Sequence, residues 1–224
     1  DELARTATAA QSTMTLWRST EPGGIVEQQQ QVEERERSAR VIRAFHSAGL
    51  YAGLVQTGWY IRCQFELAGS PDVEAGIAAR MRRQRLLDDP AHEFEFLFTE
   101  PALLWRPGPP QMQIAQLEHL KQVMTLPNVR IGIVPLDVRA PTYYHTGFTL
   151  YEDRADDEDP MIEVETIEGE RITTDPGIVG RYRQRLDKLR TVALFDDPAV
   201  DRIDRAIEQL REQRQLQDTE GNHS

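Results

Sequence analysis

The chain reads as an α+β fold: a small mixed or antiparallel sheet of about four strands, flanked by helices and with further helices at both ends. Two observations predict it. Segments with alternating apolar residues bunch between residues 94 and 174 instead of alternating strictly with helices, which disfavours a doubly wound α/β sheet. Segments with apolar residues at three- and four-residue steps occupy both ends.

Leu3, Ala7, Ala10, Met14 and Trp17 predict a helix over 1–20, broken by Glu21-Pro22-Gly23-Gly24, which reads as a linker. Val32, Ala39, Ile42 and Phe45 predict a helix over 25–47 with one buried stripe. A second helix is expected over 54–68. A third is expected over 72–87, with Asp72 as its N-cap and Arg80, Arg82, Arg83 and Arg85 near its negative end.

Phe94-Glu95-Phe96-Leu97-Phe98 predicts a buried strand, followed by a short helix at 100–105 and a turn at Pro107-Gly108-Pro109-Pro110. Ile114, Leu117, Leu120 and Met124 predict a helix over 111–125. Val129, Ile131 and Ile133 predict a strand ending at Pro135, and Phe148 and Leu150 predict another. Residues 161–166 and 170–174 pair as a hairpin across Glu168-Gly169.

Asp175-Pro176 and Asp197-Pro198 each set an N-cap acid before a proline at the first helical position. The last helix carries Val200, Ile203, Ile207 and Leu210, a stripe suited to the core or to a second copy of the chain. Residues 215–224 read as a disordered tail.

A hydrophobic share of 39% suits a globular fold with a real core, and no apolar run approaches the ~20 residues of a membrane span. There is no signal-peptide pattern, and the single Cys63 forbids an internal disulfide, which fits a cytoplasmic protein. Net charge is −11, and residues 152–170 hold ten carboxylates against Arg154. Such a run repels phosphate backbones and favours a basic partner surface, or it is a solvated hairpin.

Five blocks occur in order. They are Ala52-Gly53-Leu54-Val55-Gln56-Thr57-Gly58-Trp59-Tyr60, Arg80-x-x-Arg83-Gln84-x-Leu86-Leu87, Glu100-x-Ala102-Leu103, Gln116-Leu117-x-His119-Leu120 and Asn128-Val129-x-Ile131-x-Ile133-x-Pro135. The set resembles the actinobacterial domain of unknown function that follows an Xre-type helix-turn-helix in many transcription regulators. There the first block usually reads Pro-Gly-Leu-Leu-Gln-Thr followed by a Tyr; Ala52 and Val55 depart from it. The likeness continues through Phe148, Val164-Glu165, Tyr182, Leu189 and Ala193-Leu194, over residues 26–195. Gly53, Leu54, Gln56, Thr57, Tyr60 and Glu100 are the motif residues the resemblance singles out.

The resemblance implies a regulatory, effector domain over 25–214 that binds a small partner protein or a small-molecule ligand. DNA contact then belongs to a helix-turn-helix, for which residues 1–24 are too short; this stretch reads as a helical linker from a missing DNA-binding unit.

Candidate chemistry is sparse. His46, His92, His119, His145 and His223 are scattered, with no ligand spacing, so no metal is expected. Neither a nucleophile elbow nor a phosphate-cradling loop occurs, and no cofactor is expected.

Glu163-x-Glu165 sets two carboxylates on one strand face. That pattern suits acid/base work and resembles the Glu-x-Glu element of some ADP-ribosyltransferases, but no convincing Ser-Thr-Ser partner element precedes it, and a half-exposed hairpin strand is the preferred account of both glutamates. Arg80, Arg83 and Gln84 with Tyr143, Tyr144 and His145 form a candidate anion- or protein-binding pocket, or else the arginines pair with internal acids such as Glu100 or Glu165. The leading reading is therefore a regulatory domain; an enzyme using Glu163/Glu165 and a dimerisation module remain as alternatives.

Overall fold

The computed structural model describes residues 12–16, 23–47, 51–154, 158–166 and 169–221. The elements in chain order are β1 (Ser12–Leu16), α1 (Gly24–Ser38), β2 (Ala39–His46), α2 (Gly58–Leu67), α3 (Val73–Arg83), β3 (Glu93–Thr99), α4 (Pro110–Val123), β4 (Val129–Val134), β5 (Phe148–Arg154), β6 (Met161–Glu165), β7 (Gly169–Thr173), α5 (Pro176–Arg190) and α6 (Asp196–Gly221). Single 3-10 turns lie at Gly53–Val55, Gln84–Asp88 and Glu100–Leu103.

The α+β class holds, and the sheet has seven strands in the order β1-β7-β6-β5-β2-β3-β4. Strands β2, β3 and β4 are parallel, joined by helical crossovers, whereas β5, β6 and β7 form an antiparallel meander that docks on β2. The sheet is thus mixed, and β2 is the seam where the two patterns meet.

One face is covered by α1–α4 and α6. Ile42, Phe96, Leu117, Ile131 and Ile203 belong to that core. The other face lies under α5, with Phe45, Leu97, Leu150, Ile162 and Leu186. Alternation along each strand divides its side chains between the two cores.

Two strands depart from the helices predicted at the N-terminal end. The helix expected over 25–47 stops at Ser38, whose hydroxyl donates to the Arg35 carbonyl at 2.8 Å, and Ala39 turns to extended geometry (φ −114°, ψ 130°). Strand β2 follows with no breaker between. Val32, Ala39, Ile42 and Phe45 fit a helical stripe, yet Ile42 and Phe45 serve opposite sheet faces, and hydrogen bonding to both β3 and β5 decides for strand.

Met14, assigned to a helix over 1–20, lies instead in β1, an edge strand paired with β7. Gly169 permits that pairing, because a Cβ there would collide with the Thr15 carbonyl. The rest of the 1–24 linker, apart from Gly23 and Gly24, lies outside the described residues.

At the C-terminal end, Asp175 caps α5 as expected, its Oδ1 accepting from the Ile178 N–H at 2.8 Å. Asp72, expected to cap α3 through its side chain, instead accepts from the Gly23 N–H at the start of α1, at 2.5 Å. Helix α6 starts at Asp196 and continues to Gly221, across most of the stretch read as a disordered tail. Its stripe of Ile203, Ile207 and Leu210 is fully buried within the chain, each side chain contributing about 1.5–3 kcal/mol of burial, so it is not available to a second copy.

Candidate ligand cavity

A cavity of about 70 Å³ lies between α1, α3 and the sheet, roofed by the loop before α2. The loop's hydrogen bonds account for the motif. Gln56 Nε2 donates to the Tyr51 carbonyl at 2.7 Å, which closes the loop on itself. Gln84 Nε2 donates to the Gly53 and Gln56 carbonyls at 2.8 and 2.7 Å. Gln116 accepts from the Thr57 N–H and donates to the Val55 carbonyl, both at 2.7 Å. Thr57 Oγ1 caps α2 by accepting from the Tyr60 N–H at 3.1 Å. Irregular backbone beside a core must satisfy its polar groups somewhere, and glutamines from three separate blocks do so here.

Charged side chains fill the remaining walls. Arg35 bridges Glu163 (3.0 Å) and Glu170 (2.7 Å), and Tyr151 donates to Glu163 at 2.8 Å. Burial opposes the Arg35 charge, but Glu163, Tyr151 and Glu170 outweigh it and its pKa is raised. Burial and then Glu163 raise the Glu170 pKa, and the same two causes hold the Tyr151 phenol protonated well above its usual range.

Arg83 pairs with Glu36 at 3.0 Å, both nearly fully buried. Burial nonetheless pushes the Glu36 pKa up to about 7, with Arg83 pulling the other way.

Arg80 differs from the other two arginines. It is 8% exposed, and its hydrogen-bond acceptors are neutral amide oxygens: Gln56 Oε1 at 2.6 Å, Gln29 Oε1 at 3.0 Å and Gln64 Oε1 at 3.1 Å. Its guanidinium also sits 4.5 Å from the Phe65 ring centroid. Burial first, and Arg83 second, pull its pKa down to about 9, which leaves it cationic at neutral pH.

Glu165 shares the Glu163 strand face and lines the same cavity. Protein packs round its carboxyl, although the residue as a whole keeps exposed surface. This enclosure, followed by the Glu163 charge, raises its pKa to about 7. His46, also on the wall, is held neutral by burial, with its pKa lowered to about 4.

The sequence pattern of DUF5753, a domain of unknown function, matches residues 29–205. The chain belongs to the DUF5753 family. Curated proteins contain no match to it. Among solved structures it is similar to that of TrmBL2, an archaeal chromatin protein with a novel mode of DNA binding, at 10% identity and a TM-score of 0.39. That alignment covers 86% of this chain and 58% of TrmBL2, so the chain spans less than two thirds of that protein's length.

The DUF5753 domain brings Arg80, Arg83, Glu163 and Glu165 together on one cavity, with Gly53, Leu54 and Gln56 on its rim. Gln84 and Thr57 support that rim, and Tyr60 is buried beneath it. Other expected members lie elsewhere. Glu100 accepts from Arg202 (2.9 Å) and from the Leu136 N–H (2.8 Å), remote from both arginines expected to pair with it.

Tyr144 packs edge-on against Phe45, which points to the opposite sheet face from Ala44 and the cavity. Tyr143 stacks with Arg185 of α5, and His145 lies beside Tyr143. The Tyr143–His145 segment is therefore not part of the arginine pocket.

Sequence reasoning missed Gln29, Arg35, Glu36, His46 and Tyr151. Arg35 and Glu36 look like a solvated helix face, and only the Thr149/Tyr151 alternation hinted at a shared wall. The acidic run is also partly neutralised from within. Glu152 pairs with Arg43 (2.7 Å) and Arg183 (2.6 Å), and Glu163 and Glu170 hold Arg35; Asp156, Asp157 and Glu168 lie outside the described residues.

Among the described residues, no group of three or more His, Cys, Asp or Glu side chains is placed to hold a metal ion. No helix there is long and apolar enough to cross a membrane.

Proposed function

We propose that this chain is the regulatory domain of an Xre-like helix-turn-helix transcription regulator, and that it responds to occupancy of the cavity beside Arg80. The observation that carries this is the setting of Arg80: a buried cation met by three neutral glutamine oxygens, at the wall of an internal cavity. The ordered motif blocks and DUF5753 membership support the regulatory setting.

An occupant that takes hydrogen bonds from Arg80 competes with Gln56, whose amide also closes the loop through Tyr51. That loop is tied to α4 through Gln116, so occupancy biases packing beyond the cavity. Regulation requires that the occupant bind two states of the domain with different affinity.

The test is chromatin immunoprecipitation of the full gene product in its source cell, wild type beside Arg80→Gln. Enrichment at discrete promoters, altered in the variant, is expected. Lack of discrete enrichment ends the regulator reading, and identical occupancy by the two proteins ends the role of the cavity.

A small partner protein is a second reading, supported by one surface feature. Trp105 (62% exposed) and Leu136 (71% exposed) line an apolar groove with Pro101 and Leu104. Trp105→Ala with Leu136→Ser is expected to abolish stoichiometric capture of a small protein, and capture by that variant at the wild-type level counts against the groove.

A further inference from the structure

Seven charged side chains crowd the cavity and its immediate surround: Arg35, Glu36, Arg80, Arg83, Glu163, Glu165 and Glu170. Five satisfy one another, as Arg35 with Glu163 and Glu170, and Arg83 with Glu36. Among the described residues, the two left without an ion-pair contact are Arg80 and Glu165. They have opposite sign, come from different elements (α3 and β6) and line the same cavity. They attract each other, yet no direct bridge joins them. A site with one cation and one anion held apart is complementary to a molecule carrying both charges.

The geometry points to a small zwitterion of the α-amino-acid class as the occupant, its carboxylate on Arg80 and its ammonium on Glu165. This deepens the regulatory reading and rests on it for its consequence, not for the binding itself.

Three further features fit this class. The volume of about 70 Å³ admits a headgroup of a few heavy atoms, and the cavity wall includes an exposed residue, Glu165, which leaves a ligand side chain a way out to solvent. A guanidinium fork is the side chain best shaped for a carboxylate. His46 Nε2 is buried on the wall with no hydrogen-bond partner, a further polar contact for a polar occupant.

The groups acting on Glu165 are Glu163 on its own strand, Glu170 on β7, and Arg80 and Arg83 on α3. An ammonium placed against Glu165 favours its ionised form. At pH 7, where the Glu165 carboxyl is about half protonated, binding therefore releases up to about half a proton, which passes from that carboxyl to the buffer.

The experiment is isothermal titration calorimetry of this chain with the free α-amino acids at millimolar concentration, run in two buffers of different ionisation enthalpy. Acetate and methylammonium serve as half-ligands. At least one amino acid is expected to bind, to release protons, and to exceed both half-ligands in affinity. Arg80→Gln and Glu165→Gln are each expected to weaken it by roughly thirtyfold or more. Arg80→Lys and Glu165→Asp keep the charges and are expected to retain part of the affinity, which separates lost recognition from lost folding.

The inference is overturned if no amino acid binds, if acetate alone matches the best of them, or if both Gln variants fold and bind as wild type. Its failure is distinct from that of the regulatory reading. A chain that ignores amino acids while Arg80→Gln still alters promoter occupancy loses the ligand class only. Amino-acid binding without promoter enrichment loses the regulator only.

Discussion

The Arg83 guanidinium occupies the space that a Cβ on Gly53 would need. Arg83 is held there from the other side by Glu36 at 3.0 Å and by Gln29 Oε1 at 3.0 Å. The glycine of the first motif block and the second arginine of the next are therefore one packing unit, and the Gly53 requirement is steric, since its φ is not in the left-handed region.

Gly53→Ala is expected to destabilise the domain by roughly 1–3 kcal/mol, because Arg83 cannot retreat without leaving Glu36 buried and unpaired. Urea unfolding measures it. A stability equal to wild type shows that Arg83 has a second placement.

Gln116 is fully buried, and its amide serves both the Thr57 N–H and the Val55 carbonyl. Gln116→Leu leaves both backbone groups unmet and is expected to cost on the order of 2–4 kcal/mol. Hydrogen exchange of residues 53–60 is expected to speed up more than that of β3. Uniform acceleration across the domain argues against a local role.

Arg35→Met removes the cation between two carboxylates that are 4% and 2% exposed. Breaking such a buried pair typically costs about 3–5 kcal/mol. Adding Glu163→Gln and Glu170→Gln is expected to restore most of the loss in chemical denaturation. A triple variant no better than the single one places the cost in packing rather than in charge.

The folded state raises the Glu165 pKa to about 7 from an ordinary value of 4.5. The folded protein then binds the extra proton, so this group's contribution to stability is complete below about pH 4.5 and is lost as pH rises through 7. Across that window the melting temperature of wild type is expected to fall relative to Glu165→Gln, then run parallel above it. His46, lowered from 6.5 to about 4, acts in the opposite sense: its contribution is present above pH 6.5 and lost as pH falls towards 4. Calorimetric scans of Glu165→Gln and of His46→Gln separate the two, and slopes of the same sign contradict the assignment.

Ile207 is 2% exposed in the core beneath α6. Ile207→Ala is expected to lower stability by about 2–4 kcal/mol and to leave the association state unchanged by analytical ultracentrifugation. A shift in sedimentation with little loss of stability restores the stripe as an intermolecular surface.

Strands β3 to β7 were legible because their alternation stands between clear turn residues, and α5 because Asp175-Pro176 announces its start. Strand β2 was not, since Ala39, Ile42 and Phe45 satisfy a helical period as well as two buried strand faces, and no glycine or proline marks Ser38. Strand β1 has no marker of its own either; its pairing with β7 brings together residues more than 150 positions apart.

Part of the candidate site was legible as types and spacing. Arg80 and Arg83 stand three apart on one helix face, and Glu163 and Glu165 two apart on one strand face, because local geometry settles which side chains share a face. The chain by itself determined that much, together with the α+β class and the order of blocks that marks the family. Only the tertiary structure decided that these two faces meet across one cavity. It also decided that Arg35 and Glu36 turn inward to pair with Glu163, Glu170 and Arg83, and that Tyr143–His145 lies on the other side of the sheet. Periodicity is a property of neighbouring residues, whereas pairing a buried charge depends on contacts between segments far apart in the chain.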